Sequence, residues 1–132
     1  MLLLDTNIIS ELCRVEPDAG VLDWASGVNA FQLSVVSQEE IAYGLAWRPN
    51  ARIQVWIEAF FGRHPLLPIT PDIARRAGEL RGRLAAQGAT RSQADMFIAG
   101  TAQVHGLTVV TRNTRDFEGC GIPLLNPFSG LS

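Results

Sequence analysis

The sequence contains no lysine: its eleven cations are all arginines, against thirteen acids, and its net charge is −2. This absence excludes sites that depend on lysine, such as the P-loop, a Schiff base or the phosphate-binding lysine of receiver and haloacid-dehalogenase domains. The acidic balance argues against tight nonspecific binding of nucleic acid, which needs many contacts between cations and phosphates. A nucleic-acid substrate would therefore have to be held by a few arginines and a metal ion.

Cysteine and long apolar runs are also scarce. The two cysteines, Cys13 and Cys120, form no Cys-x-x-Cys motif, so we expect both to be reduced and structural. No apolar run exceeds five residues, which is too short to span a membrane. The opening Met1–Asp5 reaches an acid at once and has no basic region, which argues against a signal peptide. We therefore expect a cytoplasmic protein.

Length and composition predict one globular domain. The chain has 132 residues, of which 47% are hydrophobic and 18% are charged. A chain of this size can bury its own core, and this composition excludes disordered and low-complexity proteins. We therefore expect residues 1–132 to form a single domain.

Apolar segments with strand and helix patterns alternate along the chain, which predicts an α/β sandwich with a parallel sheet. Helices are predicted at Thr6–Cys13, Asp18–Gly27, Ser37–Trp47, Arg52–Gly62, Pro71–Gln87 and Ser92–His105. Strands are predicted at Met1–Leu4, Phe31–Val36 and Leu107–Thr111, with extended segments at Leu66–Ile69 and Leu124–Leu125. Thr70 and Pro71 form a strong helix start, as N-cap and first helical residue.

Four acids should meet at the carboxyl edge of this sheet, where ligands of such folds bind. Asp5 ends the first strand, and Glu40 is predicted in the first turn of the helix that follows the second strand. Asp116 follows the strand Leu107–Thr111 by five residues. Asp95 lies in the first turn of a helix that should run antiparallel to that strand, which brings it to the same edge.

Each acid also has a purely structural interpretation. Ser37-x-x-Glu40 and Ser92-x-x-Asp95 both fit a capping box, Asp5 could cap the helix that begins near Thr6, and Asp116 could be a turn residue. Their common placement at one edge is harder to explain structurally. Clustered carboxylates repel one another, and a hard divalent cation such as Mg²⁺ or Mn²⁺ relieves this repulsion. Such an ion can activate water against a phosphodiester.

Four segments of the sequence resemble the PIN-domain ribonucleases, in particular the VapC-type toxins of bacterial toxin–antitoxin pairs. The segments occur in the family's order over nearly the whole chain. They are Leu3–Leu12, Leu33–Gly44, Ser92–Ala99 and Thr111–Phe117.

The resemblance implies a metal-dependent endoribonuclease with a three-layer α/β/α fold, whose products carry 5′-phosphate and 3′-hydroxyl ends. By matching position, the ligands of Mg²⁺ or Mn²⁺ would be Asp5, Glu40, Asp95 and Asp116, with Asn7, Thr111 and Asn113 in support. Glu40 is preferred to its neighbour Glu39 because Ile41, Tyr43 and Gly44 fix the register.

The resemblance also implies partners. Members of the family are inhibited by an antitoxin that lays a segment over the site, and they commonly form homodimers. Candidates for a partner surface are the helix Arg52–Gly62 and the indoles of Trp24, Trp47 and Trp56, although rings at helical spacing are more often core. Arg112 and Arg115, beside the last acidic motif, could contact RNA phosphates or be ordinary surface arginines.

Two other functions remain open at this point. The first is a PIN-like module that binds protein or RNA without cutting, against which the complete acidic set counts. The second is a phosphatase or receiver-like domain, which also places an aspartate after its first strand. The missing lysine and the opening Asp5-Thr6-Asn7 count against the phosphatase or receiver-like hypothesis.

Overall fold

Five short strands, all paired in parallel, form the centre of the fold within residues 1–129, the part of the chain described by this computed structural model. The strands are β1 (Leu2–Leu4), β2 (Leu33–Ser34), β3 (Leu66–Leu67), β4 (Thr108–Val110) and β5 (Leu124–Leu125). β4 lies between β1 and β5, and β2 pairs with β3. A parallel bridge between Leu3 and Gln32 joins the two groups, which gives the order β3-β2-β1-β4-β5.

Helices fill the connections between the strands. They are α1 (Thr6–Leu12), α2 (Ala19–Ser26), α3 (Val35–Trp47), α4 (Ala51–Arg63), α5 (Pro71–Ala86) and α6 (Gln93–His105), with a 3₁₀ turn at Thr114–Phe117. The predicted start of α5 is confirmed, because the Thr70 side chain accepts a hydrogen bond from the Ile73 amide and Pro71 is the first helical residue. Gly106 ends α6 with a φ of 66°, a left-handed conformation that favours glycine.

Alternate residues of the central strands face two separate helical layers. Leu3 and Val109 belong to a buried cluster with side chains of α5 and α6. Leu4 and Val110 belong to a second cluster with side chains of α1, α2 and α4. Since successive side chains of a strand point to opposite faces, the sheet is covered on both sides, as its continuous apolar strands require. The predicted three-layer α/β/α architecture is confirmed.

The boundary between the second strand and the third helix was predicted wrongly. The strand ends at Ser34, and Val35 and Val36 already belong to α3. Two β-branched residues in a row favour a strand in the sequence. In the structure the Ser34 side chain accepts a hydrogen bond from the Val36 amide and starts the helix there. As a result, Ser37 is inside the helix and Glu40 lies in its second turn rather than its first.

Both cysteines are free and buried, in agreement with the prediction. The three indoles differ in their surroundings. Trp47 is 73% exposed, whereas Trp24 and Trp56 pack against the buried cluster that contains Leu4 and Val110. Of the suggested partner-surface residues, Trp47 is thus the indole that is available to a partner. None of the helices within residues 1–129 is long and apolar enough to cross a membrane.

We expect Gly100→Ala to destabilise the protein by about 1–3 kcal/mol, because α5 and α6 pack too closely there for a methyl group. A Cβ at Gly100 would lie 3.0 Å from the Ile73 carbonyl oxygen and 3.3 Å from the Ala77 amide nitrogen. The matched control is Gly78→Ala in α5, where a Cβ meets nothing within 4 Å. That change should stabilise the helix by about 0.5–1 kcal/mol. Urea unfolding measures both, and equal effects of the two variants would contradict the close approach.

Candidate active site

Asp5 stands at the carboxyl edge of the sheet because β1 ends one residue before it. The register that pairs Leu4 with Val110 brings Asp5 beside Thr111, the residue after β4. Asp5 is also the N-cap of α1, so its predicted structural role is confirmed as well. The residue is only 6% exposed. A buried acid at this place needs hydrogen-bond donors to compensate for its lost hydration.

Three groups donate hydrogen bonds to the Asp5 carboxylate. Its Oδ1 accepts a hydrogen bond from the Thr6 amide at 2.8 Å. Its Oδ2 accepts from the Thr111 hydroxyl at 2.9 Å and from Asn7 Nδ2 at 3.2 Å. Asn7 and Thr111, the two side chains that donate to Oδ2, thus both contact the Asp5 carboxylate.

The supporting residues are themselves fixed by the loop that follows β4. The Thr111 hydroxyl accepts a hydrogen bond from the Asn113 amide at 3.0 Å, and Asn7 Oδ1 accepts one from the Arg112 amide at 3.2 Å. Asn113, one of the expected supporting residues, takes part here through its backbone amide. The loop and the start of α1 are held together around Asp5.

Glu40 reaches the same site from α3. Its Oε1 accepts a hydrogen bond from the Thr6 hydroxyl at 2.6 Å, and that hydroxyl also lies 2.8 Å from Ser37 Oγ. The capping box Ser37-x-x-Glu40 is therefore wrong: Ser37 is fully buried inside the helix and bonds to Thr6 instead. Sequence reasoning missed Thr6 as a site residue, because nothing in its spacing reveals a contact with α3.

The other two predicted acids, Asp95 and Asp116, lie in α6 and in the 3₁₀ turn. Asp95 lies in the first turn of α6, where the N-cap Ser92 accepts its amide hydrogen bond at 3.0 Å, so that half of the predicted capping box is present. The turn that carries Asp116 is tied to α6 by Arg91, whose Nη1 donates to the Asp116 carbonyl oxygen at 2.6 Å. Arg91 thus has a defined contact at this edge.

The electrostatics show that these carboxylates lie near one another. The pKa of Asp5 is raised to about 6, mainly by burial. Hydrogen bonds from Thr111 and Thr6 lower this pKa, and the charges of Asp95 and Glu40 raise it. Burial also raises the pKa of Asp95, with contributions from Asp116 and Glu40. Each acid is therefore within electrostatic reach of another, which the order of the elements predicted.

The side chains are compatible with a hard divalent cation. Within residues 1–129, no three carboxylate, imidazole or thiol groups are gathered into a ready-made metal cluster. The potential metal-ligand atoms at this edge are all oxygens, which suit Mg²⁺ or Mn²⁺ rather than zinc. A cation would favour the charged forms of Asp5 and Asp95, whose pKa values are raised by burial and, to a smaller extent, by neighbouring acids.

We expect Thr111→Val to destabilise the protein by about 1–3 kcal/mol, because it removes two hydrogen bonds made by a buried hydroxyl. Thr111 is fully buried, and valine would remove the donor to Asp5 and the acceptor of the Asn113 amide. Thr111→Ser keeps the hydroxyl and loses one methyl group, so it should cost about 1 kcal/mol. Thermal unfolding without metal compares the two. A serine variant as unstable as the valine variant would show that the methyl group, not the hydroxyl, matters.

The two predicted RNA-contacting arginines have different surroundings. Both Arg112 and Arg115 are exposed. The Arg112 guanidinium lies over the ring of Phe128, with 4.6 Å between its Cζ and the ring centroid. The sequence offered no signal for this contact, since the two residues lie sixteen positions apart.

Fold and site together define an α/β protein with an acidic, metal-compatible site at the carboxyl edge of a parallel sheet. The chain belongs to the PIN-domain family, which matches residues 2–120. It is 35% identical over 139 aligned positions to VapC ribonuclease Y4jK of Sinorhizobium fredii, with 97% of this chain and 98% of that protein covered.

Solved structures agree with this assignment. The crystal structure of FitAcB from Neisseria gonorrhoeae superimposes with a TM-score of 0.83 at 31% identity, covering 96% of this chain and 98% of that one. A toxin–antitoxin complex from Klebsiella pneumoniae gives a TM-score of 0.77 at 26% identity, covering 97% and 98%. The family suggested by the four sequence segments is confirmed.

Proposed function

We propose that this protein is an endoribonuclease toxin that depends on Mg²⁺ or Mn²⁺ and is neutralised by a cognate antitoxin. The observation that carries the proposal is Asp5, a buried carboxylate whose pKa is raised to about 6 among further acids at the carboxyl edge. A fold that keeps such a costly charge buried gains a binding site for a cation. The relatives named as ribonuclease and as toxin support the activity.

Asp5, Glu40, Asp95 and Asp116 would hold the ion. When bound, it supplies a Lewis acid that activates water and neutralises charge on the phosphodiester. Thr111 and Asn7 hold the Asp5 carboxylate in one orientation. Thr6 does the same for Glu40, and Arg91 holds the Asp116 turn against α6. The carboxylates of Asp5 and Glu40 are thereby oriented before substrate arrives.

The antitoxin and a second copy of the chain are the proposed protein partners. The Klebsiella pneumoniae structure is described as a toxin–antitoxin complex and aligns with nearly all of this chain. An acidic site on a chain of net charge −2 suits a basic segment, which would compete directly with the cation for the carboxylates. The homodimer is proposed from the family resemblance.

Purified protein should cut total cellular RNA into discrete fragments with Mg²⁺ or Mn²⁺, and EDTA should stop the reaction. Asp95→Asn should lower the rate at least about a hundredfold, because it removes one charged ligand while the Ser92 cap, which bonds the backbone amide, remains. Gel analysis with mapping of 5′-phosphate ends measures both. Cleavage that persists in EDTA would refute the metal-dependent mechanism.

The alternative is a PIN-like module that binds RNA or protein without cutting it. The absence of a ready-made metal cluster within residues 1–129 is the observation in its favour. The presence of all four acids, together with the hydrogen bonds to the Asp5 and Glu40 carboxylates, favours the enzyme. RNA that is bound but left intact by the folded, metal-loaded protein would establish the alternative.

A further inference from the structure

The last residues that the structure describes fold back over the start of α2. We call Asn126–Ser129 the C-terminal strap. The Asp18 carboxylate accepts hydrogen bonds from the Ser129 amide at 2.9 Å and from its hydroxyl at 2.7 Å, which lower the pKa of Asp18 to about 2. A Cβ at Gly20 would lie 2.6 Å from Ser129 N and 2.7 Å from the Pro127 carbonyl oxygen. The strap therefore needs both the acid and the glycine.

The other end of the strap contacts the loop that follows β4. Asn126 donates from Nδ2 to the Arg112 carbonyl oxygen at 3.2 Å, and its Oδ1 accepts the Phe128 amide at 3.0 Å. These bonds set the Phe128 ring, which is only 9% exposed, under the Arg112 guanidinium. The strap thus fixes an arginine side chain that would otherwise sample many rotamers.

Arg112 is placed directly beside the candidate active site. It follows Thr111, which bonds to Asp5, and its own amide donates to Asn7 Oδ1. Its guanidinium forms no ion pair with an acid anywhere in residues 1–129. A guanidinium over an aromatic face keeps the N–H groups around its rim free for other acceptors. The fold therefore presents an oriented cation without an ion-pair partner, on a residue whose backbone borders the site.

We propose that Arg112, held by Phe128 of the C-terminal strap, binds a backbone phosphate of the RNA strand beside the scissile bond. This inference rests on the proposed ribonuclease function. Arg112 is the phosphate-binding residue, and Phe128 is a positioning residue that acts through it. Planar bidentate recognition of phosphate is the contact for which an oriented guanidinium is suited. The four carboxylates repel an RNA strand, and an arginine on the neighbouring loop attracts it.

The test is the affinity for a fluorescent single-stranded RNA of about twenty nucleotides, measured at several salt concentrations with Ca²⁺ and a gel check that the probe stays intact. Arg112→Gln should raise Kd about tenfold or more and lower the salt slope by about 0.7, the loss of one phosphate contact on a single strand. Arg81→Gln is the control, an exposed arginine of α5 to which no role at the site is assigned. An equal effect of the control would overturn the special role of Arg112.

Phe128 is tested by a double-mutant cycle. Phe128→Leu keeps an apolar side chain but removes the ring face, and it should raise Kd about two- to fivefold in the wild-type background. In the Arg112→Gln background it should change Kd no further, because Phe128 acts through Arg112. Phe128→Tyr, which retains the ring, should bind RNA like the wild type. The same loss in both backgrounds would mean that Phe128 has only a structural role.

The two proposals fail separately. If the wild type cuts RNA, and if Arg112→Gln binds the probe as tightly as the wild type, only the phosphate contact is refuted. If the wild type neither binds nor cuts RNA, the ribonuclease function is refuted as well. Thermal unfolding of each variant shows whether a loss of affinity accompanies a loss of folding.

Discussion

Asp5→Asn is expected to abolish RNA cleavage and, at the same time, to stabilise the metal-free protein near neutral pH. The first effect follows because Asp5 is the most buried of the four acids and the one around which the supporting hydrogen bonds converge. We expect a loss of at least about a thousandfold in rate, the upper end for one electrostatic group. The second effect follows because the same carboxylate pays a desolvation cost.

The size and pH window of that stabilisation follow from the raised pKa. Folding moves the pKa of Asp5 from its ordinary 3.8 to about 6, so the folded state binds the proton more tightly than the unfolded state does. Stability must then fall as pH rises between these two values and stay lower above them. The full cost is about 3 kcal/mol. Asparagine removes the charge and caps a helix equally well, but it loses part of the hydrogen bonding, which leaves a net gain of about 1–2 kcal/mol.

Urea unfolding of both proteins in EDTA, at about pH 7.5 and about pH 4, measures this effect. Asp5→Asn should be the more stable protein at the higher pH, and its advantage should vanish at the lower pH, where the wild-type carboxyl is protonated. Added Mn²⁺ should stabilise the wild type and not the variant, because only the wild type keeps the ligand. An advantage that is the same at both pH values would show that the charge of Asp5 is not its cause.

Glu40→Gln is expected to lower cleavage about a hundredfold or more, whereas Glu39→Gln should leave it within about twofold. The two glutamates are neighbours on α3, and both are exposed. Only Glu40 accepts the Thr6 hydroxyl, and it acts electrostatically on Asp5 and Asp95. Glutamine keeps an oxygen for the Thr6 bond, so folding should be preserved while a charged metal ligand is lost.

Steady-state cleavage of one RNA by both variants, with Mn²⁺ varied, is the measurement. Higher Mn²⁺ should partly restore the Glu40→Gln activity if the loss is one of metal affinity. A larger loss for Glu39→Gln than for Glu40→Gln would reverse the assignment of the ligand on α3. Both variants should unfold at the wild-type temperature, because neither change touches the core.

Much of the site could be predicted from the sequence because its parts are local. An acid directly after a buried strand, as Asp5 is, has its position fixed by the end of that strand. Asp95 follows its N-cap by three residues, so its place in the first turn of α6 is also a local matter. Topology then requires that such residues meet, since parallel strands present their carboxyl ends at one edge.

The errors arose where local signals competed. Val35 and Val36 have strand propensity, yet Ser34 caps a helix that contains them. The placement of Ser37 followed from that error, and with it the capping role that the sequence suggested. A serine inside a helix and a serine at its start look alike in sequence, and the buried contact with Thr6 distinguishes them.

The sequence by itself determined the fold class and the exclusion of lysine-dependent chemistry, and it supplied the four acids of the proposed site. Each of these depends on short-range pattern or on composition, which the chain carries without being folded. The tertiary structure alone decided which hydroxyl orients Glu40, which cation holds the Asp116 turn and which ring lies under Arg112. Those contacts join residues distant along the chain, and their geometry is set by the packing of whole helices on the sheet.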